Sequence, residues 1–169
     1  MGRGEDRRPG FCKPHPRVRL SELKGVGGSY AAVLYLPAAA QLAVGRLGAL
    51  HFARGGYIYC GSARGPGGLA ARLGHHLRHR HESPHWHLDY LRPHCRLKAF
   101  WVATDPAVSE HGWAGFLAGR PEAHMPAPGF GASDCRCPAH LVHFPTLAGA
   151  LAAAGGMPAD IYRVLGNID

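Results

Sequence analysis

Two apolar, tyrosine-bearing runs, each set off by glycine, constrain this chain more than any other feature. SYAAVLYL (Ser29–Leu36) follows a GVGG break and stops at Pro37. YIYC (Tyr57–Cys60) follows Gly55-Gly56 and stops at Gly61. Aromatic and β-branched runs between such breakers read as strands. Leu42–Val44 and Leu50–Phe52 read as two short strands on either side of a GRLG turn, a hairpin inserted between the main strands. GSARGPGG (Gly61–Gly68) is a flexible turn into LAARLGHHLRHR (Leu69–Arg80). There Leu69, Leu73, His76 and Leu77 define one helical face, with Arg72, His75, Arg78 and His79 largely on its flanks. LKAFWVAT is a third strand. Asp105-Pro106 opens a helix running roughly to Gly119, in which Glu110, Trp113, Ala114 and Leu117 recur at helical spacing. LVHF is a short closing strand, and the Ala-rich segment and IYRVL after Pro145 predict two small helices.

These elements predict an α/β (α+β) fold: a small, mixed, mainly antiparallel three-stranded sheet flanked by helices, with the inserted hairpin. The 169 residues suit one domain. Residues 1–24 read as a basic flexible arm, 25–146 as the domain and 147–169 as a short helical tail.

The formal net charge of +8 is unevenly spread. Met1–Lys24 carries +4 and Arg64–Lys98 carries +5, whereas Ala99–Asp169 carries −3. A basic N-terminal half favours a polyanionic partner, because each neutralised phosphate releases counterions; solubility alone is the alternative reading. The five cysteines, Cys12, Cys60, Cys95, Cys135 and Cys137, are an odd set and do not form a secreted disulfide framework. The charged N-terminus has no apolar signal-peptide core, and no apolar run reaches the roughly 18 residues of a membrane span. The expectation is a cytoplasmic protein without a membrane partner.

Two strands that each carry a Tyr beside a Gly, then a basic helix, then a helix bearing an acid, form an ordered series. It resembles the GIY-YIG nuclease superfamily. The first motif is Gly28-Ser29-Tyr30 and the second Tyr59-Cys60-Gly61; the helix Arg of the family falls on Arg72, the following His on His76 and the metal-binding Glu on Glu110. GSYAAVLYL, GRLG, GGYIYCGSA, LAARLGHHLR, HWHLDYL and GFGASDCRCPAHL are similar to one uncharacterised branch, found alone or fused to endonuclease III in some microbes. The resemblance spans roughly Gly27 to Phe144. It implies a metal-dependent endonuclease acting on DNA, a Mg²⁺ or Mn²⁺ cofactor, and by association a role in DNA repair beside a base-excision-repair partner. In the compact form of the superfamily the two tyrosine motifs are near neighbours on one hairpin; here Leu42–Phe52 separates them.

The residue types suit phosphodiester hydrolysis, which needs an activated water and neutralised phosphate charge. Glu110 offers Mg²⁺ the single carboxylate it commonly takes alongside waters. Arg72 can fork onto a phosphate, and Arg64, Arg78 and Arg80 add backbone-binding charge. His76, four residues after Arg72, can share its cleft and shuttle a proton near neutral pH. Tyr30 or Tyr59 can orient or deprotonate water, the second role requiring nearby positive charge. The plainer alternatives are core aromatics for Tyr30 and Tyr59 and solvated charges for Arg72 and Glu110.

Two further clusters remain. His75, His76, His79, His81, His85 and His87 crowd one segment with Asp89, and HWHLDYL suits either metal or phosphate binding or a structural role. Cys135-Arg136-Cys137-Pro138-Ala139-His140 supplies three soft ligands of the kind Zn²⁺ favours, with His87, His85, His143 and Cys95 as candidates for a fourth; a redox-sensitive pair or free thiols is the alternative. Three function classes stay open: a nuclease, a nucleic-acid-binding module without catalysis, and a zinc-binding protein defined by these clusters.

Overall fold

A computed structural model describes residues 15–165. Strand β2 (Gly28–Leu36) pairs antiparallel with β5 (Gly55–Ala63) over their full lengths, from Gly28 opposite Ala63 to Leu36 opposite Gly55. The residues between them fold out as a separate two-stranded hairpin, β3 (Ala40–Ala43) and β4 (Ala49–Phe52). The long insertion therefore leaves the central ladder intact. Tyr30 stands opposite Gly61 and Tyr59 opposite Ala32, so both side chains rise on one face of adjacent strands.

The mixed α+β character and mainly antiparallel sheet match expectation. The sheet is larger than the expected three strands: among the described residues it has six, in the order β1 (Arg17–Arg19), β8 (Tyr162–Leu165), β6 (Arg96–Ala103), β2, β5, β7 (Leu141–Phe144). Strand β6 (Arg96–Ala103) flanks β2, and β7 (Leu141–Phe144) flanks β5. The two unexpected strands come from the ends of the described chain. Arg17–Arg19 forms β1, inside the stretch expected to be a flexible arm. Tyr162–Leu165 forms β8, where a second small helix was expected; it pairs parallel with β1 and antiparallel with β6. Residues 1–14 of the expected arm lie outside the described residues.

Both faces of the central sheet are covered, which explains why β2 reads as continuously apolar. On one face Tyr30, Ala32, Leu34, Tyr57 and Tyr59 pack with Leu69 and Leu73 of helix α1 (Gly68–Leu77), Leu88 and Leu91 of α2 (His87–Leu91), Phe52 and Phe130. On the other, Ala31, Val33, Ile58 and Cys60 pack with Trp113 and Leu117 of α3 (Glu110–Ala118) and with Ala150 and Ala154 of α4 (Leu147–Gly155). The period-two alternation of each strand thus sorts its residues between two cores.

Helix boundaries differ from the periodicity. Helix α1 stops at Leu77 and not at Arg80, because buried Arg92 caps it: Nε donates to the His76 carbonyl at 2.8 Å and Nη2 to the Leu77 carbonyl at 3.4 Å. Helix α3 begins at Glu110, five residues after the expected Asp105 start, where the Ser109 side chain accepts the Gly112 N–H at 3.1 Å. No helix among the described residues is long and apolar enough to cross a membrane.

Candidate active site

Four of the expected residues gather on the α1 face. The Tyr30 hydroxyl is hydrogen-bonded to His76 Nε2 at 2.8 Å, and the Tyr30 and Tyr59 ring centroids are 6.3 Å apart. The Tyr59 ring meets His76 edge-on at 6.2 Å. Arg72, one helical turn before His76, lays its guanidinium 4.1 Å above the Trp86 ring and is close enough to both tyrosines to act on their ionisation. Of the two adjacent histidines, His76 faces the tyrosines, while His75 bonds Asp89 Oδ1 at 2.8 Å and stacks on His81.

Two glycines make this packing possible. A Cβ on Gly61 would run into the hydroxyl and ring of Tyr30. Gly131 holds φ +74°, and a Cβ there would lie 2.7 Å from the Tyr59 ring.

Burial fixes the protonation of these groups. Tyr30 and Tyr59 are pushed well above the ordinary tyrosine range by desolvation, and the Arg72 charge offsets only part of it. Both therefore stay protonated near neutral pH and offer hydroxyls. His76 is pushed down to about 3 by burial and by neighbouring His75, so it is neutral at pH 7 and does not titrate as the neutral-pH proton shuttle expected of it. Its Nδ1 is buried with no hydrogen-bond partner among the described residues.

Two clefts flank Trp86. One, of about 250 Å³, is lined by Arg72, His75, Arg78, Trp86 and the 65–68 turn. The other, of about 270 Å³, is lined by Tyr59, His85, Trp86, His87, Gly131 and Asp134. Arg78 and Arg80 are exposed. Arg64 is exposed but donates to the Val108 and Pro106 carbonyls, at 2.9 and 3.4 Å, bracing the loop before α3.

Glu110 is not on this face. It opens α3, on the opposite layer, where Ser62 Oγ donates to its Oε1 at 2.8 Å and His111 Nε2 lies 3.8 Å from the same oxygen. Ser62 follows Gly61 and points to the other side of β5, so Glu110 and the tyrosines stand on either side of one strand. Strand β7 pairs with β5 only over Gly56–Tyr59, with one further bond from the Cys60 N–H to the His140 carbonyl.

The Cys/His loop gathers four groups that could hold a metal ion: His111, Cys135, Cys137 and His140. The expected partner His87 is not among them, because its Nδ1 accepts the Gly131 N–H at 2.9 Å and its ring packs on Phe130. His143 is turned to the Arg54 carbonyl, Cys95 is buried beside Arg92, and His85 lines the Trp86 cleft. His111 escaped the sequence reading; its signal was its place beside Glu110 in SEHGW. In HWHLDYL, Asp89 Oδ2 accepts the His85 and Trp86 backbone N–H groups at the start of α2, and Asp89 also stands with His75 and His81 as a second group that could hold a metal ion.

Fold and site together define a two-core α+β domain with a tyrosine–histidine–arginine cleft on one sheet face and a Cys/His cluster beside the other. The chain belongs to the family described as Domain of unknown function DUF123, matched over residues 29–156. No curated protein and no solved structure is matched.

Proposed function

We propose that the protein is a metal-dependent nuclease that hydrolyses phosphodiester bonds in DNA, with a place in DNA repair. The observation that carries this reading is the association of Tyr30, Tyr59, His76 and Arg72 in one packed group beside two clefts. It agrees with the resemblance to the GIY-YIG superfamily.

In this reading Arg72, held over the Trp86 ring, forks onto the scissile phosphate. The Tyr59 hydroxyl, protonated and lining one of the clefts, orients the attacking water or a phosphate oxygen, while fully buried Tyr30 positions it from behind. Neutral His76 holds Tyr30 in place. Arg78 and Arg80 bind flanking phosphates without reading sequence. A half-buried carboxylate whose two contacts both fall on Oε1 suits a hard divalent ion that keeps most of its waters, so Glu110 would hold Mg²⁺ or Mn²⁺. That ion would supply a nucleophilic water and charge neutralisation. The edge of β5 beyond Cys60, free of β7 and carrying only Gly61, Ser62 and Ala63, is where a phosphate would bridge Glu110 to the tyrosine face. The Cys135, Cys137 and His140 donors are softer and suit zinc rather than Mg²⁺.

The position of Glu110 across the strand favours a second reading, a nucleic-acid-binding module without catalysis. Arg72→Lys separates the two, because it keeps the charge but loses the fork and the stacking. For a nuclease, cleavage of branched DNA in Mg²⁺ falls far more than DNA affinity does. Wild type that binds the same DNA and never cuts it supports the module instead.

A further inference from the structure

We propose that His111, Cys135, Cys137 and His140 bind one zinc ion as a closed, four-ligand centre that clips the 131–140 loop onto the first turn of α3. The four ligand atoms all lie within 4.8 Å of one another. His111 Nδ1 is 3.2 Å from His140 Nε2 and 3.3 Å from Cys137 Sγ, and Cys135 Sγ is 3.4 Å from His140 Nε2. A tetrahedron with ordinary Zn–N and Zn–S bonds has N···N and N···S edges of about 3.3 to 3.6 Å. The side chains therefore already stand close to the separations that one ion imposes. Two thiolates and two imidazoles are a donor set of structural zinc, and four protein ligands leave no open position for a substrate or catalytic water.

The chain path fits a clip. Three ligands come from one loop, and its far end enters β7 through His140, whose carbonyl accepts the Cys60 N–H at 2.9 Å. The fourth comes from α3, on a different element. His111 presents Nδ1 to the cluster and Nε2 to the Glu110 carboxylate at 3.8 Å. The same ion would thereby hold the α3 turn that carries Glu110.

The second group of candidate ligands, His75, His81 and Asp89, lacks this geometry. It offers three ligand atoms, not four, and no thiolate, and its stacked imidazoles, 3.7 Å and 10° apart, both turn Nε2 toward Asp89 Oδ1, at 2.8 and 3.8 Å. Asp89 is already occupied by His75 and two backbone N–H groups.

The zinc centre stands independently of the nuclease reading. Protein purified from zinc-supplemented medium is expected to carry about one zinc per chain by mass spectrometry of the metal content. Metal-free full chain, shown folded by circular dichroism and titrated with Co²⁺, is expected to give the intense visible bands of tetrahedral cobalt and a thiolate charge-transfer band. Cys137→Ser should weaken the thiolate band, and His111→Ala should lower zinc affinity. His111→Cys should restore binding with a stronger thiolate band, whereas His87→Ala should change nothing. Glu110→Gln should keep both the stoichiometry and the cobalt bands, since Glu110 is not among the four ligands. Folded wild type that takes up no zinc, a weak octahedral cobalt spectrum, or a His111→Ala protein that binds zinc like wild type would overturn the proposal, leaving a hydrogen-bonded thiol–imidazole cluster.

Discussion

The two sides of β5 solve different problems with neighbouring residues. On the α1 side Tyr59 and Gly61 face Tyr30, His76 and Arg72, all on strands or a helix and nearly all buried. On the α3 side Ser62 faces Glu110, next to a cluster whose ligands come mostly from a loop and are part-exposed. The first region is organised by packing: rings in contact, a glycine where no Cβ fits, and protonation states set by burial. The second is organised by donor chemistry, with soft ligands at the spacing of an ion. A site supported by packing tolerates loss of one polar group better than loss of shape; a site supported by a metal shows the reverse.

Perturbing each region separately tests that contrast, and the largest effect is expected on the α3 side. Glu110→Ala should reduce DNA cleavage by about 10²–10³-fold, the scale for removing one charge-stabilising group, with little change in global unfolding. Arg72→Lys should lower single-turnover cleavage by about 10²-fold, near the lower end of the same scale, while equilibrium DNA binding measured by anisotropy changes far less.

Gly61→Ala probes packing on the α1 side. Its Cβ collides with Tyr30, so urea denaturation should show a loss of about 1–3 kcal/mol, the usual range for overpacking a core. A neutral result would mean that the tyrosine pair is loosely held.

The pH dependence of stability is a further probe of the same core. His76 is held near 3 in the folded protein and titrates near 6.5 when unfolded. Between those values the unfolded chain binds more protons, so stability is fully present above about pH 6.5 and is lost as pH falls toward 3, at up to roughly 1.4 kcal/mol per unit for this one group. His75, His87, His140 and His143 are also lowered, chiefly by burial, and contribute in the same direction. His76→Gln should therefore flatten, not abolish, the slope of the urea midpoint between pH 5 and 7. The smallest effect is expected at Arg78: replacement by Ala should weaken DNA binding uniformly across sequences and reduce the salt slope by about 0.9, one phosphate contact.

How much of this was legible in the sequence follows from where each element finds its partner. Strands β2 and β5, the inserted hairpin and the apolar face of α1 are written locally, in glycine breaks and in residue spacing. The strand Tyr162–Leu165 was not, because a short apolar run after an Ala-rich helix becomes a strand only beside β6 and a β1 drawn from the basic lead-in. The end of α1 depended on Arg92, far along the chain and beyond helical periodicity. At the site, Tyr30, Tyr59, Arg72 and His76 were recoverable as residues, but their protonation was not, since spacing carries no information on desolvation. Motif order also does not say which sheet face a helix packs against. Glu110, which the nuclease resemblance implies shares one site with the tyrosines, is found across the strand. His111 was overlooked because a ligand contributed by a separate helix leaves no compact spacing pattern.

The central claim is that the tyrosine face and Glu110 act on one phosphodiester across the edge of β5. The most direct measurement is cleavage of supercoiled and branched DNA by the full chain, with Mg²⁺ or Mn²⁺ and with chelator, beside Glu110→Ala. Cutting is expected to require the divalent ion and to fall by about 10²–10³-fold in the variant. Cutting by Glu110→Ala at the wild-type rate, or no cutting of any substrate by wild type, would contradict it.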